Sequence, residues 1–149
     1  MLKLAGAFLV AVAFAGVGIF ASSKIKREKA AVERLSEFVK LIKSRIELES
    51  KPLPDIFAES DYPPSALILQ DINLAFENED LPEDIKESVF SFFESLGKSF
   101  SKSEISLCSE IELKLENEIA KLSEDYQRKA PLYRSLWLIA GLTAAIILI

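Results

Sequence analysis

The sequence predicts an all-α protein: a cytoplasmic antiparallel helical bundle between N- and C-terminal transmembrane helices. Three observations carry this expectation. Half the residues are hydrophobic while 28% are charged, and the conflict resolves because residues 4–21 and 136–149 contain no charge at all. Between them, apolar residues recur at three, four and seven, the helical period. No stretch there alternates at period two for long enough to make a strand. The expected domains are an N-terminal span over 1–23, a bundle over 24–131 and a C-terminal span over 132–149.

The first uncharged run would extend about 27 Å as a helix, against a hydrocarbon core of about 30 Å. Lys3 can snorkel at its outer end. Ala7, Ala11, Ala15, Gly18 and Ser22 form a stripe of small residues, the kind of face through which membrane helices approach closely. A cleaved signal peptide is the rival reading, with Ile19-Phe20-Ala21 as a weak cleavage site. The basic cluster Lys24, Lys26, Arg27 and Lys29 follows at once and favours an uncleaved anchor.

The helix is expected to continue through residue 50. Ile25, Val32, Val39 and Ile46 are seven apart, and Leu35, Phe38 and Ile42 widen the stripe. Lys51-Pro52-Leu53-Pro54 ends it, because a proline disfavours helical geometry in the residue before it. A short helix with Pro54 in its first turn should turn Ile56 and Phe57 inward. Asp61-Tyr62-Pro63-Pro64 is a break. A third helix is expected over residues 65–79, and a fourth from Pro82, with Ile85, Val89, Phe92, Phe93 and Leu96 inward and Gly97 ending it. Ser101 and Glu104 have the spacing of a capping box at the start of the last long helix. There Cys108, Ile111, Leu115, Ile119, Leu122 and Tyr126 form a second stripe, and Pro131 is expected to kink it. The two stripes fit an antiparallel bundle; a self-associating coiled coil is the other use of the same pattern.

The C-terminal run of 136–149 is short, about 21 Å. Reaching back to Leu132 lengthens it but includes Arg134, which would snorkel. Tyr133 and Trp137 are interfacial residue types. Arg128, Lys129 and Arg134 flank this run on the same side as the basic cluster of the first. By the positive-inside rule the middle domain is cytoplasmic and the protein sits in the cell membrane with two passes.

Charge is unevenly spread. Residues 24–46 carry eight basic and three acidic residues, and residues 47–87 carry twelve acidic and two basic ones. Such a chain lacks the basic stripe of a nucleic-acid binder. The acidic stretch, lying mid-chain between the long helices, is expected at the membrane-distal end of the bundle. The chain has no His, which excludes His chemistry, and a single Cys, which excludes an intrachain disulfide. Cys108 reads as a small core residue. Four of the five glycines fall in the apolar ends, so there is no phosphate loop. Glu77, Glu79 and Asp80 lack the spacing of a calcium loop. Ser-Lys pairs occur without a pocket. The sequence therefore nominates no catalytic, cofactor-binding or metal residue, and an enzyme is not expected.

Four stretches together resemble the stage III sporulation protein AB family. They are Met1-Leu2-Lys3-Leu4 with its Ala/Gly-rich run, Lys51-Pro52-Leu53-Pro54-Asp55-Ile56-Phe57, Leu96-Gly97-Lys98-Ser99-Phe100-Ser101, and Leu132-Tyr133-Arg134-Ser135-Leu136. The chain departs from the family pattern at Phe100 and Ser101, where that pattern has Leu and Gly, and it is shorter in its middle helices. The resemblance implies a non-catalytic scaffold in the mother-cell membrane around the forespore, part of a secretion-like channel. It implies a domain similar to the cytoplasmic domains of F-type secretion platform proteins. The implied partners are a secretion-type ATPase on the cytoplasmic side and other channel membrane proteins, with self-association open; no nucleic acid, cofactor or small-molecule substrate is implied. The alternative is a generic membrane-anchored coiled-coil adaptor of envelope or division machinery, which would expose its heptads.

Overall fold

The computed structural model describes the backbone of residues 2–98 and 101–148, with side chains for all of these except 2–5, 7, 8, 10, 11, 101, 145, 147 and 148. Six helices follow in order: α1 Leu2–Glu49, α2 Leu53–Ala58, α3 Ser65–Ile68, α4 Ile72–Phe76, α5 Glu83–Ser95 and α6 Ser101–Leu148. There is no strand among the described residues. The chain forms two compact units, one of Met1–Arg27 with Lys121–Ile149 and one of Glu28–Ala120.

In the second unit, the heptad residues of α1 make the core. Val32, Leu35, Val39 and Ile42 are fully enclosed and Ile46 nearly so. Each such side chain contributes roughly 1.5–3 kcal/mol of burial. Opposite them on α6 lie Cys108, Ile111 and Leu115, all buried. Lys43 reaches Glu112 at 3.1 Å and Lys40 reaches Glu116 at 3.0 Å, so advancing along one helix retreats along the other. The helices are antiparallel, and the Val32–Ile46 part of one stripe and the Cys108–Leu115 part of the other are buried within this unit, with Ile119 half-buried.

An aromatic cluster fills the space between α1 and the shorter helices. The Phe38 ring lies 4.7 Å from that of Tyr62, 5.3 Å from Phe57 and 6.2 Å from Phe93. Phe76 packs on Phe90 and Phe93 at 5.9 and 5.7 Å. Ile56 and Phe57 of α2 are buried, as are Ile85, Val89, Phe92 and Phe93 of α5.

The structure corrects two expectations here and leaves a third outside the described residues. The single helix over 65–79 is two, because Asp71 adopts an extended backbone (φ −153°, ψ 111°) and caps α4, its carboxylate accepting from the N–H groups of Asn73 and Leu74. An Asx cap of this kind offers the backbone an alternative to continuing the helix. The Ser101 half of the expected Ser101–Glu104 box lies outside the described residues; the Glu104 carboxylate accepts from the Gly97 N–H at 2.9 Å. The acidic stretch is not gathered at one end. From Ser50 the chain climbs back beside α1 until Glu79 meets Arg34 at 3.3 Å, fifteen residues and about 22 Å up the helix from Glu49. Its first part stays at the α1–α2 turn; Glu77–Asp80 lies at the other end.

The first unit pairs the start of α1 with the end of α6. The rings of Phe14 and Trp137 stack at 5.7 Å. Gly18 and Ser22 are buried and Ala15 half-buried, while the side chains of Ala7 and Ala11 lie outside the described residues. A Cβ on Gly18 would come within 3.0 Å of Trp137 Cδ1, so glycine is what admits the indole. The Ser22 hydroxyl donates to the Ile19 carbonyl at 2.9 Å, which removes its cost of burial. α6 continues through Pro131. Among the described residues, no helix is long and apolar enough to cross a membrane.

Candidate docking corner

The α1–α2 turn and the α5–α6 turn are far apart in sequence and meet at one end of the second unit. Ser50 has φ +49°, a left-handed residue that stops α1, and Pro52 in extended geometry (ψ 144°) starts α2. Gly97 has φ +85°, a value that glycine adopts without steric cost. Its Cα faces α2 so closely that a Cβ would lie 3.1 Å from Leu53 Cδ1. The Glu104 carboxylate, mostly buried, holds the Gly97 N–H across the turn. Ile46, Lys51, Pro52, Leu53, Pro54, Gly97 and Glu104 line a groove of about 400 Å³.

Charge is fixed around this groove. Lys51 Nζ bonds Glu59 at 3.0 Å and Glu49 at 3.1 Å. Hydrogen bonding from Lys51, then from Arg45, holds the Glu49 carboxyl below its ordinary range, and Glu59 followed by Glu49 raises Lys51. Asp55 stays exposed on α2. The corner thus presents a left-handed turn, a proline-rich rim and a carboxylate-lined edge.

Ser88, Ser91 and Ser95 share a groove of about 290 Å³ with Lys114, the arrangement a Ser-Lys pair would need. Lys114 is paired with Glu110 at 3.5 Å. Cys108 is buried and free, and burial, then the Glu104 carboxylate, pushes its thiol up to about 11. The Tyr62 hydroxyl is buried without a hydrogen-bond partner; burial raises its pKa, Glu79 adds to the rise and Arg34 opposes it. Among the described residues, no group of three or more His, Cys, Asp or Glu could hold a metal ion.

Of the four stretches that carry the family resemblance, the structure brings Lys51–Phe57 together with the Leu96–Lys98 part of Leu96–Ser101, Ser99 and Phe100 lying outside the described residues, and in the first unit it sets Ala15 and Ile19 of the Ala/Gly-rich run beside Arg134 of the Leu132–Leu136 stretch. Convergence was not legible in the sequence, because it depends on how α2–α5 retrace α1.

The fold and this corner define an all-helical bundle built on two long antiparallel helices. The sequence profile of the stage III sporulation protein AB family matches residues 3–82 and 66–149, so the chain belongs to that family and is related to sporulation. No curated protein and no solved structure matches it.

Proposed function

We propose that this protein is a non-catalytic membrane scaffold of a secretion-like channel between mother cell and forespore, and that the corner docks a secretion-type ATPase. The observation that carries the docking half is the meeting of the Lys51–Phe57 and Leu96–Lys98 stretches on one exposed rim. The anchoring half is supported by the uncharged runs 4–21 and 136–149, and by exposed apolar residues within them, including Leu9, Ile19, Phe20, Leu138, Ile139 and Ile146. α1 is one helix from Leu2 to Glu49, containing both the first uncharged run and the stripe that makes the bundle core. The bundle domain lies on the mother-cell side in this reading, because Lys24, Lys26, Arg27, Arg128 and Lys129 flank the runs there. Burial of Val32, Leu35, Val39 and Ile42 favours this over the exposed-coil adaptor, which would leave them open to a partner.

The test places a photo-crosslinking residue at Asp55 on the corner, or at Glu77 at the opposite end, in the full chain in sporulating cells. Crosslinks to a secretion-type ATPase from position 55 and not from 77 are expected. The reverse pattern would move docking to the Glu77–Asp80 turn and overturn the assignment of the corner. Glu79 is unsuitable as a probe, since its loss also breaks the pair with Arg34.

A further inference from the structure

The first unit holds a groove of about 350 Å³ lined by Ala15 and Ile19 of α1 and by Arg134 and Leu138 of α6. Three of its four walls are apolar, and Ile19 and Leu138 remain more than half exposed. The fourth wall is a guanidinium. The nearest acids along α6 are already engaged, Glu124 with Arg128 at 3.3 Å and Asp125 with Lys129 at 2.9 Å. Among the described residues Arg134 has no carboxylate partner.

Its level matters. Arg134 shares the groove with Ile19, which lies inside the uncharged run; the next basic residue on α1, Lys24, is five residues further, about 7.5 Å along the axis. A cation at that depth needs either a path to water or an anion brought to it. A guanidinium binds phosphate through parallel N–H donors, a geometry that suits it better than an ammonium.

We propose that this groove is a binding site for one anionic phospholipid, its phosphate held by Arg134 and the upper part of an acyl chain lying along Ala15, Ile19 and Leu138. The occupant is fixed by complementarity of both kinds: the apolar walls would gain nothing from a free phosphate, and the guanidinium would gain nothing from a hydrocarbon. The site rests on the anchoring half of the proposed function.

The test uses the full chain reconstituted into vesicles of phosphatidylcholine with added phosphatidylglycerol, where one lipid or the other carries brominated acyl chains. Trp137 is the only tryptophan. It lies next to Leu138, so its fluorescence reads which lipid is adjacent. Brominated phosphatidylglycerol should quench it more strongly than brominated phosphatidylcholine at equal content. Arg134→Gln should reduce that preference about fivefold, equivalent to about 1 kcal/mol for one basic residue at an anionic surface. Ala15→Phe, which fills the groove and keeps the charge, should reduce it too. Equal quenching by both lipids, or a preference untouched by Arg134→Gln, would overturn the site. Loss of the preference on adding inorganic phosphate would assign the guanidinium to free phosphate and also overturn it. Flotation separates the two levels of the argument: a chain that floats without lipid preference refutes the site alone, and one that does not float refutes the anchor and the site together.

Discussion

Replacing Gly97 tests the corner most directly, because the backbone and the packing there make separable demands. At φ +85° an L-residue sets its Cβ against the neighbouring carbonyl, at roughly 1–2 kcal/mol. The added methyl would also sit 3.1 Å from Leu53 Cδ1, the flexible tip of a side chain that can give by a few tenths of an ångström. Alanine recovers part of the loss by restricting the unfolded chain, about 0.4–1 kcal/mol. Gly97→Ala keeps the N–H that donates to Glu104, so that hydrogen bond does not enter the difference. The expected net loss is about 1 kcal/mol. Gly97→Asn should lose less, since asparagine tolerates left-handed geometry, and Gly97→Val should lose more through its branched Cβ. Urea unfolding of the full chain in detergent micelles, followed by far-ultraviolet circular dichroism, ranks the three. The order Asn, Ala, Val in rising cost is the expected result. Alanine at or above the wild-type stability would refute the left-handed assignment, and equal costs for all three would place the effect in packing against Leu53 alone.

Leu35→Ala removes a fully enclosed side chain from the α1 core and should cost about 3–5 kcal/mol, whereas Leu48→Ala, at an 80% exposed position on the same helix, should change stability by less than about 0.5 kcal/mol; equal effects in the same unfolding assay would mean that the stripe is not buried. Native Cys108 should resist iodoacetamide at neutral pH and react once the chain is unfolded, because its thiol is buried and pushed up to about 11. The same shift has a pH consequence with a definite sign: the folded value lies above the ordinary thiol value of 9.0, so this contribution to stability is complete below pH 9 and is lost as the pH rises through about 11. A Cys108→Ala variant that loses stability over that range as steeply as wild type would refute it.

The helical class and most helix ends were legible because they rest on local physics. The heptad residues Val32, Leu35, Val39 and Ile42 could hide only against another apolar stripe, and the structure buries all four. Pro52, Pro82 and Gly97 mark ends at the places their backbone geometry dictates. Asp71 was missed because its neighbours Ile72, Leu74 and Phe76 continue an apolar pattern across it. An aspartate in that setting fits the face of a helix as well as its cap, and only the extended backbone decides between them. The Glu104 contact with Gly97 is not legible from spacing, because it depends on the turn that brings the Gly97 N–H within reach of the carboxylate.

The acidic stretch shows why position in the chain is a poor guide to position in space. Charge counting treats residues 47–87 as one block, yet three short helices carry its second part back along α1. There Glu79 finds Arg34, and Tyr62 packs on Phe38. What remains at the far turn is a smaller group in which Glu49 and Glu59 share Lys51, leaving Asp55 exposed on the rim. A partner approaching that end meets a surface whose net charge is modest and whose shape is set by Pro52, Pro54 and the left-handed turn at Gly97. In the proposed docking, recognition there would depend more on shape than on long-range attraction. Raising the ionic strength should accordingly weaken docking at the corner less than it would weaken docking at an unpaired acidic patch, where screening acts over about a Debye length of 10 Å at 0.1 M.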